Sequence, residues 1–187
     1  LTQTNNQDSV IAFNCGVCAD KIKKPADALK YFDIAVQKKY NLANAYIGKA
    51  GALKDLKKND EYVATLKEGL EAVPGNKTLT KLYATYYVNQ GILAQRAKKN
   101  SAAEEAFKQA VSIQPDNVNA LNSLGSLYYN QGATLLKTDA DKAKEEFKQA
   151  KEYLDKLIPL LSADKPAQKK MKDNANTMLN FINSQLQ

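Results

Sequence analysis

The sequence predicts an all-α protein in which helical hairpins stack one after another. The first observation is a pattern of a small, an aromatic and a small residue that begins with Ala28, Phe32 and Ala35. With substitutions, the pattern recurs in three later segments: Tyr62, Leu66, Gly69; Ala103, Phe107, Ala110; and Ala143, Phe147, Ala150. The second observation is a preceding series of small residues at steps of 34, 34 and 41 positions: Gly16, Ala50, Ala84 and Gly125. Recurrence at such a period indicates stacked supersecondary units.

Each position in the pattern has a physical role in such a stack. The small residues of the two series allow the two antiparallel helices of a hairpin to approach closely. Phe32 and its counterparts fill the space between one hairpin and the next. Because every hairpin exposes an apolar flank until a neighbour covers it, the array is stable only as a stack.

The period of 34 residues and these small and aromatic positions resemble those of tetratricopeptide repeat (TPR) proteins. The resemblance implies a right-handed superhelical stack of helix–turn–helix hairpins with a C-terminal capping helix. It also implies a protein that holds other molecules, so we expect a non-enzymatic scaffold that binds a protein or peptide. The alternative is a structural interaction module of a larger multidomain chain.

We expect one TPR domain over residues 1–187, with repeats over about 9–42, 43–76, 77–117 and 118–158. Several helix starts carry capping signals. Asn41 and Asn76 precede the first helices of repeats 2 and 3. Ser101, with Glu104 three positions later, predicts a capping box for the second helix of repeat 3. Thr138 and Asp141 form a looser version in repeat 4.

Repeats 3 and 4 are longer than the first two. The small residue precedes the aromatic position by 16 residues in repeats 1 and 2, but by 23 and 22 in repeats 3 and 4. Seven residues make about two helical turns. We expect these to be divided between the two helices of each hairpin, and both inserts begin with Asn-Gln-Gly, at Asn89 and Asn130. The resulting ridge would be either a partner-specific edge or a longer loop without function.

The C-terminal segment, about 164–187, is predicted to be a capping helix. Its apolar residues advance by steps of three and four: Met171, Ala175, Met178, Ile182 and Leu186. The opposite face is rich in lysine and asparagine. Such a helix covers the last hairpin and exposes its polar face; alternatively, it opens a fifth repeat.

Cys15 and Cys18 form the only C-x-x-C pair in the chain. We interpret them as packing residues, because they flank the tight-packing Gly16 in the middle of a helix. A redox dithiol prefers a helix N-terminus, and a zinc site needs four ligands whereas the chain has no histidine and no further cysteine. These features also predict that the chain is not an enzyme and binds no metal or other cofactor.

The net charge of +7 raises the question of nucleic-acid binding. The lysines are dispersed, and Arg96 is the only arginine although arginine is the preferred residue for phosphate. We therefore expect no nucleic-acid partner. No apolar run approaches the roughly 20 residues that a transmembrane helix needs. The long repeats resemble those of TPR proteins from the bacterial cell envelope, which suggests the periplasm or cell envelope, with the cytoplasm as the alternative.

The resemblance also implies a concave groove lined by the first helix of each hairpin. The groove positions are Phe13, Val17, Asn44, Ile47, Lys81, Thr85, Asn89, Asn122, Ser126 and Tyr129. The groove is apolar at its start and rich in amides and hydroxyls later, which suits an extended peptide whose backbone needs hydrogen-bond partners. Of the adjacent Tyr128 and Tyr129, we expect Tyr128 to pack inside and Tyr129 to be exposed in the groove.

Overall fold

The computed structural model of the protein describes the backbone of residues 2–187 and the side chains from residue 7 onward. Over this part of the chain it contains nine α-helices, one short 3₁₀ turn and no strand. The helices are α1 (Thr2–Lys21), α2 (Pro25–Gln37), α3 (Leu42–Asp55), α4 (Asn59–Ala72), α5 (Lys77–Arg96), α6 (Asn100–Ile113), α7 (Val118–Leu135), α8 (Ala140–Leu157) and α9 (Pro166–Leu186). The predicted all-α class is confirmed. Helices α1 to α4 pack in succession, and so do α6 to α9.

The chain divides into two compact units, Leu1–Tyr83 and Ala84–Gln187. The division falls within α5, so the first two turns of this helix belong to the first unit and the rest belongs to the second. The expectation of a single domain stays a prediction.

The first unit is organised around Phe32 on α2. Its ring lies between two glycines, Gly16 on α1 and Gly48 on α3, and a Cβ atom at Gly16 would be 3.0 Å from the ring. Ala28 and Ala35 on the same helix are fully buried. The small residues therefore allow the close helix approach that the repeat pattern predicts.

The second unit has a continuous apolar core in which Phe107 and Phe147 are fully buried. Helix α9 packs against α7 and α8. It buries Ala175, Leu179 and Ile182 against this core. The predicted apolar stripe of the C-terminal helix therefore faces the protein, and α9 covers the last hairpin.

The extra residues of repeats 3 and 4 lie elsewhere than predicted. The ring of Phe107 meets Gly91, the ring of Phe147 meets Gly132, and Gly125 meets Leu154. The true counterparts of Gly16 are thus seven residues further along than the sequence alignment suggests. In repeat 3 the addition belongs to α5 alone, which has 20 residues against 14 in α6. In repeat 4 both helices have 18 residues.

Consequently, the Asn-Gln-Gly segments are not the start of an insertion. Counted from Gly91 and Gly132, the extra turns lie at the N-terminal ends of α5 and α7, away from the hairpin loops. The predicted division of the insert between two helices is therefore wrong for repeat 3, whereas in repeat 4 both helices are about one turn longer than those of repeat 2. The pattern could not reveal this, because a shift of seven residues keeps nearly the same helix face.

The helix caps agree with the sequence at some positions only. Asn76 caps α5, since its Oδ1 accepts hydrogen bonds from the backbone N–H groups of Thr78 and Leu79. Asn41 precedes α3 but makes no capping hydrogen bond, because its Oδ1 accepts from the side chain of Asn44 instead.

The two predicted capping boxes are wrong. Helix α6 begins at Asn100, so Ser101 already lies inside it, and no side chain caps this end. At α8 the cap is Asp139 instead of Thr138, and its Oδ1 accepts from the backbone N–H of Lys142 at 3.1 Å. Glu104, which the capping box would have used at the helix end, bonds to another helix, as described below.

Candidate peptide-binding groove

Helices α5 and α7 form the walls of a polar groove within the second unit. The groove has a volume of about 300 Å³. It is lined by Thr85, Val88, Asn89 and Ile92 of α5, by Asn117 before α7, and by Asn119, Asn122 and Ser123 of α7. The groove therefore consists of an apolar floor and polar walls, and four of its eight residues are asparagines.

Three of the predicted groove residues, Thr85, Asn89 and Asn122, come together here. Thr85 and Asn89 are one helical turn apart on α5 and are exposed, and Asn122 on α7 is half-buried. Val88 is buried and contributes to the apolar floor. A carboxamide offers both a donor and an acceptor, so this arrangement suits a peptide backbone, which also carries one of each per residue.

Asn117 has a structural function at the edge of the groove. Its Oδ1 accepts from the backbone N–H of Ala120 at 3.0 Å and so caps α7. Its Nδ2 donates to Gln114 Oε1, also at 3.0 Å. Since both ends of this amide are already bonded, Asn89, Asn119 and Asn122 are the amides better placed for a ligand.

Tyr129 lies in a different environment from the one predicted. It is half-buried, with its ring 5.7 Å from that of Phe181 on α9 and 6.1 Å from that of Phe147 on α8. The expectation of an exposed tyrosine is wrong because α9 lies against α7 at this point. Ser126, one turn earlier on α7, is half-buried.

In the first unit, the predicted residues are distributed between packing and exposed positions. Phe13 and Val17 pack against the core that contains Phe32, and the Phe13 ring lies 5.9 Å from the Phe32 ring. Ile47 is half-buried, whereas Lys81 is exposed. The exposed Asn44 donates to Asn41, as noted above. A binding role for these five residues stays a prediction.

Tyr128 connects α7 to α6. It is 4% exposed, as expected for a packing residue. Its hydroxyl donates to Glu104 Oε1 at 2.7 Å, and the same oxygen accepts from Lys108 Nζ at 2.7 Å. Burial would raise the pKa of the Glu104 carboxyl, but the hydrogen bonds from Lys108 and Tyr128 hold it below its ordinary value.

A second, larger cleft of about 680 Å³ lies near the loop between α5 and α6. Glu146 and Gln131 line it, and each has a buried side-chain oxygen without a hydrogen-bond partner. Sequence reasoning missed both residues. Gln131 belongs to the Asn-Gln-Gly segment, which the sequence pattern indicates as the start of an insert and not as a site. Glu146 stands among alternating lysines and glutamates, a pattern typical of a solvent-exposed helix face.

Proteins of known family share both sequence and fold with this chain. Residues 97–132 match the family model for the TPR repeat. A TPR repeat protein of known structure from Bacteroides fragilis is 47% identical to this chain, with a TM-score of 0.74. The match covers 95% of this chain and 86% of that protein. The chain belongs to the tetratricopeptide repeat family.

More distant TPR structures share little sequence with it. MamA from Desulfovibrio magneticus is 15% identical, with 95% of this chain and 94% of that chain covered and a TM-score of 0.44. A TPR protein from Thermus thermophilus is 18% identical, with 95% and 98% covered and a TM-score of 0.42. No curated protein matches the chain.

The cysteines of this TPR protein differ from the prediction. Cys15 is half-buried and Cys18 is exposed, both as free thiols on α1. The interpretation of both as buried packing residues is therefore wrong for Cys18, because it faces outward from α1. Among the described residues, no cluster of three or more potential metal ligands occurs, and no helix there has the length and apolarity to span a bilayer.

Proposed function

We propose that this TPR protein is a non-enzymatic scaffold that binds an extended peptide segment of a partner protein in the groove between α5 and α7. The observation that supports the proposal is the convergence of Thr85, Asn89 and Asn122 over an apolar floor. The amides would bond to the peptide backbone, and the floor formed by Val88 and Ile92 would accept apolar side chains of the peptide.

Selection from a phage-displayed library of linear peptides tests the proposal, followed by calorimetry with the selected peptides. The double variant Asn89→Ala, Asn122→Ala should weaken binding by about tenfold or more, since each lost hydrogen bond contributes about 1 kcal/mol. Asn176→Ala is the matched control, because Asn176 is exposed on the outer face of α9. It should bind like the parent protein.

Two results would contradict the proposal. One is that selection enriches no peptide above background. The other is that the selected peptides bind the groove variant and the control variant equally. Circular dichroism melts of both variants show whether the fold is retained, which it should be because Asn89 is exposed and Asn122 is only half-buried.

We further propose that the protein acts in the periplasm or cell envelope. The support is the resemblance of its long repeats to those of envelope TPR proteins. Fractionation of the source cells, with detection by antibody, tests this location. Recovery with a cytoplasmic marker would instead favour the cytoplasm.

A further inference from the structure

The larger cleft of the second unit is separate from the peptide groove. It lies where the end of α5 and the start of α6 face the C-terminal half of α7. Its lining consists of Gln95, Arg96, Asn100, Leu127, Asn130, Gln131, Thr134, Leu135 and Glu146. No residue is shared with the α5–α7 groove. A volume of about 680 Å³ falls within the size range of small-ligand sites.

Two buried acceptor atoms of this cleft lack a hydrogen-bond donor. Gln131 Oε1 and Glu146 Oε2 are buried and have no hydrogen-bond donor. Buried polar atoms are normally satisfied, so each exception calls for an explanation. Both atoms are acceptors, which means that the missing groups are hydrogen-bond donors.

The charges around Glu146 favour a positively charged ligand. Its pKa is raised above the ordinary value by burial and, next, by the negative charge of Glu104, and only Lys108 opposes this effect. Lys108 is itself engaged with Glu104 at 2.7 Å. A positive charge entering the cleft would therefore stabilise a carboxylate that the protein leaves without an ion-pair partner.

The cleft also has apolar walls. Leu127 and Leu135 lie two helical turns apart on α7, and both line the cleft. A ligand that fits must therefore combine an aliphatic portion, which packs against these leucines, with a polar head that donates hydrogen bonds. Arg96 is an exposed residue of the lining, and neither Gln131 Oε1 nor Glu146 Oε2 accepts a hydrogen bond from it.

We propose that this cleft binds an alkylammonium group, with the ammonium at Glu146 and Gln131 and the alkyl stem against Leu127 and Leu135. Such a group occurs in the lysine side chain of a protein and in free aliphatic diamines. The ammonium supplies up to three donors and the positive charge that Glu146 lacks. The alkylammonium site is independent of the peptide groove, since the two share no lining residue and this cleft uses the C-terminal half of α7.

Calorimetry with two probes tests the proposal on the full chain. One probe is Nα-acetyl-lysine N-methylamide, whose free side-chain ammonium represents a lysine within a protein. The other is 1,5-diaminopentane, which represents a free diamine. Glu146→Gln should weaken the binding of a bound probe by about tenfold or more, because it removes a charge-assisted hydrogen bond. Glu145→Gln is the matched control, as Glu145 is exposed on the same helix and pairs with Lys148.

The pattern of probe binding shows whether the ligand is a protein lysine or a free diamine. Binding of the lysine derivative alone indicates a protein partner. Binding of the diamine, with or without the lysine derivative, indicates a free amine. Either result supports the proposal if Glu146→Gln weakens the binding and Glu145→Gln does not. Absence of binding by both probes at millimolar concentration overturns it. Equal affinity of the parent protein and Glu146→Gln does so too. Carbon-detected NMR of the Glu146 carboxyl adds an independent readout, because a bound ammonium should lower its pKa.

Discussion

The hydroxyl of Tyr128 donates to Glu104 Oε1 at 2.7 Å and thereby joins the second helix of repeat 3 to the first helix of repeat 4. The tyrosine ring stacks on that of Tyr153 at 5.8 Å between ring centroids, nearly parallel to it. Burial first of all raises the pKa of Tyr128 to about 12. The phenol therefore stays protonated and remains a donor throughout the ordinary pH range.

Tyr128→Phe should lower the free energy of unfolding by about 1–2 kcal/mol. The variant keeps the ring but removes the only donor that α7 gives to Glu104, and a hydrogen bond to a charged group is worth somewhat more than a neutral one. Tyr128→Ala should cost about 3–5 kcal/mol, since it also removes a buried ring. Urea denaturation of the three proteins measures both differences. Equal stability of Tyr128→Phe and the parent would show that the bond contributes nothing.

Gly132→Ala and Gly51→Ala should have opposite effects. A Cβ atom at Gly132 would lie 2.7 Å from the Phe147 ring and 3.1 Å from the Ala143 carbonyl oxygen. We expect a loss of about 1–3 kcal/mol from this overpacking. At Gly51, on the exposed face of α3, a Cβ meets no atom within 4 Å. The higher helix propensity of alanine should therefore raise the free energy of unfolding by about 0.5–1 kcal/mol. Thermal melts compare the two, and a neutral Gly132→Ala would contradict the assigned helix contact.

Tyr129→Ala should destabilise the protein by about 2 kcal/mol or more, within the range of truncations of packed aromatic residues. Its ring contacts those of Phe147 and Phe181. Removing the ring should therefore also weaken the packing of α9 against α7. Phe181→Ala should have a similar effect, and the double variant should lose less than the sum because the two residues are in contact. Denaturation of the two single variants and the double variant gives the coupling. Strict additivity would show that the contact does not contribute.

Glu146→Gln should make the protein relatively more stable as the pH rises. The folded-state pKa of Glu146 is raised above the ordinary value of 4.5, mainly by burial and then by Glu104. The folded state therefore holds this proton more tightly than the unfolded state, and stability falls as the pH rises from about 4.5 through the raised pKa. The variant lacks this loss. Melts at pH 4 and pH 7 should show a gap between variant and parent that widens at pH 7, and a gap of equal size at both pH values would contradict the raised pKa.

The repeat pattern was enough to predict most of the architecture. Phe32, Phe107 and Phe147 are buried between small residues as the spacing indicates. The apolar stripe of α9 predicted its packing in the same way. These features could be read from the chain because helix periodicity and residue size are local properties that recur in every repeat.

The polar site was only partly predictable. Thr85, Asn89 and Asn122 were chosen by their place in the repeat, and they do share one groove. Tyr129 was chosen by the same reasoning, yet α9 packs against it. Repeat position determines which face of a helix a residue occupies, but not whether a helix from beyond the repeats covers that face.

The sequence by itself determined the all-α hairpin architecture, because the sizes of the side chains that must touch recur at a fixed period. Only the tertiary structure decided which glycine each aromatic ring meets. Gly125 and Gly132 are seven residues apart and occupy nearly the same helix face, so either could face Phe147 until the helices are placed in register. The isolation of Glu146 was likewise decided by packing, since burial and the nearness of Glu104 arise only when α6 and α8 come together.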